Sequence, residues 1–254
     1  THAFNLIVAE PGARASIVET HTGVGAYWGT TAARVVVAQG AEISRTTVLA
    51  GAPEAFHLGA TEAEVASGGG YQSFVLSHGG RLSRDEIDVA LDGEGAGCRL
   101  DGLALGRRKQ HIDNTTRIVH RSLGAESREV YRGVLDDNAR SVFQGKVTVE
   151  AGAHGTDAYQ LSQNLLLSET AEADAKPELM IYADDVKCSH GATVGALDDE
   201  TLFYLRARGI GEAVARDLLV EAFAGEIIET IDGRAAGIVR NAVTAWLANA
   251  EAAA

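Results

Sequence analysis

The sequence has 254 residues, of which 46% are hydrophobic and 22% are charged, and its formal net charge is −13. This composition is typical of a folded globular protein with a substantial core. The acidic balance and the absence of any Lys/Arg-dense stretch exclude nucleic acids and anionic membrane surfaces as expected partners.

The first residues, Thr1 to Phe4, show no charged segment followed by an apolar one, so we expect no signal peptide. No apolar run approaches the length of a membrane span. Two cysteines, Cys98 and Cys188, are too few for a disulfide framework and indicate free thiols in a reducing compartment. Together these features predict a cytoplasmic protein that does not enter a membrane.

Up to about residue 183, short runs rich in Val, Ile and Leu alternate with turn residues. Such runs predict β-strands, and 29 glycines against 3 prolines suit tight turns between them. The predicted strands are 4–10, 15–21, 33–40, 45–51, 72–80, 86–95, 98–106, 115–122, 142–152 and 178–185.

The strand pattern fits three architectures: a β-sandwich, a barrel or a β-solenoid. Dipeptides that favour tight hairpins are sparse, since Asn-Gly is absent and Asp-Gly occurs three times. More than 170 residues of short strands also require many stacked layers. Both features favour the solenoid, although periodicity does not exclude the other two.

After Asp198 the hydrophobic period changes to that of helices. Asp198 is a suitable N-cap, acidic residues follow it, and Gly209 provides a stop, which predicts a short first helix. The second helix, within 211–232, carries Val214, Leu218, Ala222, Phe223 and Ile227 on one side. A third carries Ile238, Val239, Ala242, Val243, Trp246 and Leu247.

Two roles suit this helical segment. The helices could cap the open end of the β region, because an uncovered solenoid end invites aggregation. Alternatively, they could present a docking surface to a partner. Since most amphipathic faces point toward a core, the pattern by itself favours the cap.

The stretch DDVKCSHGATVG places Cys188 and His190 two residues apart. In an extended chain both side chains lie on one face, with Cα atoms about 7 Å apart. Thiolate and imidazole are ligands for iron and zinc, but two ligands are at most half of a tetrahedral site. The pair therefore predicts either a metal site completed by another subunit, or a buried cysteine beside an inert histidine.

Other candidate motifs carry less information. His111, Asp113 and His120 fit ordinary solvent-facing positions of a strand, and Cys98 fits a structural role. The sequence has no P-loop, so we expect no ATP site in this chain.

Two long stretches resemble a known family. KPELMIYADDVKCSHGATVGALDDETLFYLRARGI (176–210) and REVYRGVLDDNARSVFQGKVTVEAGAHGTDAYQLSQNLLLS (128–168) are similar to the SufB/SufD family of iron–sulfur cluster assembly proteins. The Cys-Ser-His run of KCSHGATVG is similar to the SufD branch. The resemblance covers most of the chain from about residue 85.

The resemblance implies a right-handed parallel β-helix, expected at 1–195, followed by a helical segment at 196–254. It implies a non-catalytic assembly subunit that acts with a SufB-like homologue and a SufC-like ATPase. Many members also carry an N-terminal helical region, whereas this sequence starts close to its first predicted strand.

Within the family picture, His190 supplies a ligand for a nascent cluster at the interface with the SufB-like homologue, and Cys188 matches the motif cysteine. Cluster or iron is bound transiently at that interface. The ATPase grips the C-terminal helices, for which Leu202, Phe203, Leu218 and Phe223 are the expected contact residues. A homodimer through the β-helix edge is an alternative assembly.

Two other functions stay open at this point. One is a β-helix polysaccharide lyase or hydrolase, although the sequence shows no pair of acidic residues whose spacing indicates a catalytic pair. The other is a structural interaction module without metal.

Overall fold

A computed structural model describes residues 2–251 of the chain. Within that range fourteen strands precede three helices. The strands are β1 (His2–Ala9), β2 (Arg14–Thr22), β3 (Trp28–Val37), β4 (Glu42–Ala50), β5 (Phe56–Val65), β6 (Gly70–Ser77), β7 (Leu82–Leu91), β8 (Gly97–Gly106), β9 (His111–His120), β10 (Glu126–Leu135), β11 (Arg140–Val149), β12 (Asp157–Leu166), β13 (Glu172–Ile181) and β14 (Lys187–Ala196). The helices are α1 (Asp199–Ala207), α2 (Glu212–Ile228) and α3 (Gly233–Glu251).

The strands form two seven-stranded sheets, one from the odd-numbered strands and one from the even-numbered strands. We call them the odd sheet and the even sheet. Every pairing is parallel, and each strand pairs with the one two places along the chain, for example Trp28 with Phe56 and Arg140 with Glu172. The chain therefore winds through about seven turns of a parallel β-helix, which confirms the predicted solenoid and excludes the sandwich and the barrel.

Three inner strands, β5, β10 and β12, were missing from the sequence prediction. Charged or polar residues occupy many of their positions, such as Glu62 on β5, Arg132 on β10 and Gln160 on β12. These residues dilute the apolar signal by which a strand is recognised. The strands form because their inward positions pack against neighbouring turns.

One corner of the solenoid is a stack of similar turns that lead from the odd sheet to the even sheet. Each holds a residue in the left-handed conformation, where glycine is favoured because it has no Cβ. Successive turns are also linked, since the Gly124 N–H donates to the His154 carbonyl at 2.9 Å. The residues at this position are Gly12, Gly40, Gly68, Gly95, Gly124, Gly155 and, in the last turn, Asp185.

The interior of the solenoid is a single apolar core formed by inward-facing residues of both sheets. Val35, Leu100 and Val147 are fully buried there, and Tyr131 stacks on Phe143 with ring centroids 4.7 Å apart. Cys98 belongs to this core, which confirms its predicted structural role. Because consecutive turns cover one another, the core ends at the first and last turns.

The helices α2 and α3 pack against the outer face of the even sheet, and not on the open end of the solenoid as the cap prediction required. Apolar side chains such as Phe74 and Leu103 meet Val239 and Trp246 in a second core. The Arg107 guanidinium lies 3.6 Å above the Trp246 ring and joins the sheet corner to α3. The last turn of the solenoid consequently keeps its end open.

The helix predictions are confirmed in position and partly in orientation. Asp198 caps α1 by accepting a hydrogen bond from the Thr201 N–H at 3.0 Å, and Gly209 has a positive φ of 87° after the helix. The α3 stripe is largely buried, as expected. The α2 stripe is only partly buried, because Ile227 faces the core as predicted whereas Val214 and Leu218 are exposed. Residues outside the predicted stripe also face the core: Ala215, Val220, Ala224 and Ile228.

Within the described part of the chain, we find no helix whose length and apolarity would let it cross a membrane.

Candidate functional site at the open end of the solenoid

The two predicted ligands lie on β14, the last strand of the even sheet. Among the described strands β14 pairs with β12 alone, with Cys188 opposite Ala158 and His190 opposite Gln160. Asp185 begins this turn with a positive φ of 55°. Aspartate tolerates that conformation better than most residues. Asp185 of the DDVKCSHG motif therefore has a structural role, because it forms the corner that leads into β14.

Cys188 points into the mouth of the solenoid and is half-buried. It packs against the apolar core together with Leu179, Ala183 and Val186 of the last turn. Burial raises the pKa of its thiol, and the Asp157 carboxylate raises it further. The free side chain is therefore a neutral thiol at physiological pH, and a metal or a cationic group must lower its pKa before it can act as a ligand.

His190 follows two residues later on the same side of the strand and is exposed. A histidine at this register in an inner turn would be covered by the next turn, but the described chain has no further turn there. The structure thus brings Cys188 and His190 to one face at the open end of the solenoid. Among the described residues, no group of three or more His, Cys, Asp or Glu side chains is arranged to hold a metal ion.

The surface around Cys188 and His190 combines unpaired strand edges with exposed apolar side chains. Strands β13 and β14 present free backbone edges, and apolar side chains near them are exposed: Met180, Ile181, Tyr182 and Val194. A free, apolar strand edge is a template for pairing with another chain. A second protein docked here would lie next to His190.

Directly below His190 the interior contains a polar pair that sequence reasoning missed. Glu129 on β10 and Gln160 on β12 are both fully buried. The Gln160 Nε2 donates a hydrogen bond to the Glu129 Oε2 at 2.5 Å. The residues are 31 positions apart, so no local motif could reveal them; a comparison of strand registers would be the only signal.

Burial raises the pKa of Glu129 to about 7, against 4.5 for an exposed glutamate. At any pH between these two pKa values, Glu129 keeps a proton in the folded chain that it has released in the unfolded chain. The free energy of unfolding therefore falls as the pH rises through this window.

We expect Glu129→Gln to remove this loss of stability and to raise the free energy of unfolding at pH 8.5 by roughly 1–3 kcal/mol. Denaturant titrations of both proteins at pH 4.5 and 8.5 measure the difference. Glu126→Gln, an exposed position on the same strand, serves as the control. An equal pH dependence of the wild-type and Glu129→Gln proteins would contradict the prediction.

The second candidate cluster does not form a site. Asp113 is buried on the outer face of the odd sheet beside Arg84, with 3.4 Å between the guanidinium and the carboxylate. His120 is fully buried on the inner face, where its Nε2 lies 2.9 Å from the Ser127 hydroxyl oxygen. The expectation that these positions face solvent was therefore wrong for both, since neighbouring turns cover them.

A cavity of about 420 Å³ lies near the first turns, away from β14. His21 and His57 line it with their ring centroids 5.0 Å apart. Burial lowers the pKa of both imidazoles, to about 4 for His57. They are neutral and able to bind a metal, but two ligands do not form a stable site.

The four residues expected to contact the ATPase differ in exposure. Phe203 on α1 is 73% exposed and Leu218 on α2 is 43% exposed. Leu202 is half-buried. Phe223 is also half-buried, because the Arg132 guanidinium packs on its ring with 4.9 Å to the ring centroid. Phe203 and Leu218 are thus the most accessible members of the set.

Comparison with known proteins gives a family match over most of the chain. Residues 1–223 match the family model described as "SUF system FeS cluster assembly, SufBD core domain". SufD of Escherichia coli is 42% identical over 159 residues, which cover 63% of this chain and 37% of that protein. A SufBD family protein of Synechocystis is 30% identical over 89% of this chain and 52% of its own length. The chloroplastic protein ABCI7 of Arabidopsis thaliana is 32% identical over 90% of this chain and 49% of its own length.

The chain thus spans between about a third and a half of the length of these relatives. The matched residues include both sheets, the Cys188–His190 pair and most of α2.

Proposed function

Because the chain belongs to the SufB/SufD family of the SUF system for iron–sulfur cluster assembly, we propose that it is a SufD-like, non-catalytic assembly subunit of the cytoplasm. The observation that supports this role most directly is the exposed His190 beside Cys188 at the open end of the β-helix. The family match favours this role over a β-helix lyase and over a metal-free module.

In this proposal the iron–sulfur cluster, or its iron, is cargo that is held transiently. His190 offers a nitrogen ligand from this chain, and Cys188 offers a thiol that becomes a ligand once metal lowers its pKa. The remaining ligands come from the partner. Half a coordination sphere on each subunit suits assembly, because the cluster is held while the two surfaces meet and released when they separate.

The partner proposed for this end is a SufB-like homologue. It would pair with the free edges of β13 and β14 and cover the apolar residues around them. A second copy of this chain is the alternative occupant when the homologue is absent.

The helical segment is proposed as the docking surface for a SufC-like ATPase. The chain has no P-loop, so the energy of ATP hydrolysis would come from that partner. The exposed apolar residues of α1 and α2, with Phe203 and Leu218 at their centre, supply the contact. Residues 1–195 would then carry the cluster site and 196–254 the coupling to the ATPase.

Anaerobic reconstitution tests the proposal. The chain, a SufB-like homologue and a SufC-like ATPase are combined with iron and sulfide, and cluster formation is followed by visible absorbance. We expect the chain alone to bind little, and we expect it to copurify with both partners and to increase cluster formation by them. A complex that assembles clusters equally well without this chain would contradict the proposed role.

A further inference from the structure

The inner face of the even sheet carries a ladder of residues in register. Glu129 on β10 lies opposite Gln160 on β12, and Gln160 lies opposite His190 on β14. Adjacent strands are about 4.8 Å apart, so each side chain of the ladder is within reach of the next. The ladder runs from the closed interior to the open end.

The amide of Gln160 has a defined orientation. Its Nε2 donates to the Glu129 Oε2, and an ionised carboxylate accepts hydrogen bonds but donates none. Above the pKa of Glu129, the amino group must therefore face its carboxylate. Gly145 on the opposite sheet leaves room for this amide, because a Cβ at that position would lie 2.7 Å from the Gln160 Nε2.

With its amino group held by Glu129, Gln160 has its carbonyl oxygen free. The Oε1 is buried and has no hydrogen-bond donor among the described residues. Buried acceptors are rarely left unpaired in folded proteins. Next along the ladder stands His190, which does not bond to this oxygen in the structure. Its exposed imidazole N–H becomes a suitable donor when the side chain turns toward Gln160.

We infer that Glu129 and Gln160 are positioning residues for His190: the Gln160 carbonyl accepts the imidazole N–H and leaves the other ring nitrogen free to bind the cargo metal. This inference rests on the proposed role of His190. A metal-binding histidine commonly donates its second nitrogen to a carbonyl or carboxylate, which selects one tautomer and fixes the ring plane. Glu129 acts through Gln160, since it keeps the amide from rotating.

The tautomer of His190 tests the inference in the isolated chain, without any cluster. We expect ¹⁵N NMR of histidine-labelled protein at pH 8.5, above the pKa of Glu129, to show one dominant tautomer. His190→Asn assigns the signals. In Gln160→Met, which keeps the side-chain length and removes the acceptor, we expect the tautomer ratio to fall by about threefold or more.

Gln144→Met is the matched control, because it makes the same chemical change at an exposed position of β11, and it should leave the ratio unchanged. Glu129→Gln should shift the ratio in the same direction as Gln160→Met, since a neutral amide partner lets Gln160 rotate. If Gln160→Met does not fold, the tautomer ratio of His190 in Glu129→Gln tests the inference instead. A wild-type ratio in the folded variant overturns the inference, while the role of His190 in cluster assembly is tested separately by His190→Ala.

Discussion

His190→Ala is expected to leave the β-helix folded and to reduce cluster formation by the reconstituted complex by about 10-fold or more. The imidazole is exposed on the terminal strand. Its removal should therefore lower the free energy of unfolding by no more than about 1–3 kcal/mol, the cost of leaving the buried Gln160 carbonyl without a donor. Loss of cluster formation by a variant that stays folded would identify His190 as a ligand. Anaerobic absorbance measures the first quantity and denaturant titration the second.

His2→Ala provides the control, since His2 lies on β1, the first strand of the solenoid. Cys188→Ala separates the two ligand candidates in the same assay. Because Cys188 packs against the core, this variant should lose some stability in addition to any effect on the cluster. Wild-type cluster formation by His190→Ala would show that its ligand role is wrong.

Phe203→Asp is expected to weaken binding of the proposed partner, a SufC-like ATPase, by at least about 30-fold, the loss typical of a central aromatic residue in an interface. The α1 helix has no buried residue, so its aromatic side chains contribute little to the fold of the chain. A carboxylate at this position would introduce a charge into an apolar contact. Calorimetric titration of the ATPase with each variant measures the loss.

Phe4→Asp is a matched control, because Phe4 is 71% exposed, nearly the same as Phe203, but lies on β1. The two variants should have equal stability and different affinity for the ATPase. Leu218→Asp should follow Phe203→Asp in direction. An unchanged affinity in both helix variants would exclude this surface as the docking site.

Local chemistry accounts for the parts of the fold that could be predicted. The N-cap of α1 depends only on residues close together in sequence, since the Asp198 carboxylate accepts a hydrogen bond from the Thr201 N–H. Strands with apolar alternation, such as β1 and β11, were recognised for the same reason. By contrast β10 and β12 were missed, because polar residues interrupt their apolar pattern even at inward positions such as Glu129 and Gln160, and because their inward partners lie about 30 residues away in sequence.

The candidate site also contains residues that local sequence could predict and residues that it could not. Cys188 and His190 stand two residues apart, so their shared face follows from the strand geometry alone. Glu129 and Gln160 come together with them through register across three strands. No pattern in a single stretch of sequence predicts that register, because it depends on how many residues each turn of the solenoid contains.

The amino-acid sequence by itself determined the change from strands to helices near Asp198, the short-range pair on β14 and the acidic character of the chain. These are properties of neighbouring residues, and local sterics and hydrogen bonding are sufficient to set them. Only the tertiary structure decided that α2 and α3 pack on the side of the solenoid and that its last turn stays open. Burial is a property of the whole molecule: the same strand position is covered in an inner turn and exposed in the last one, and His190 occupies the last.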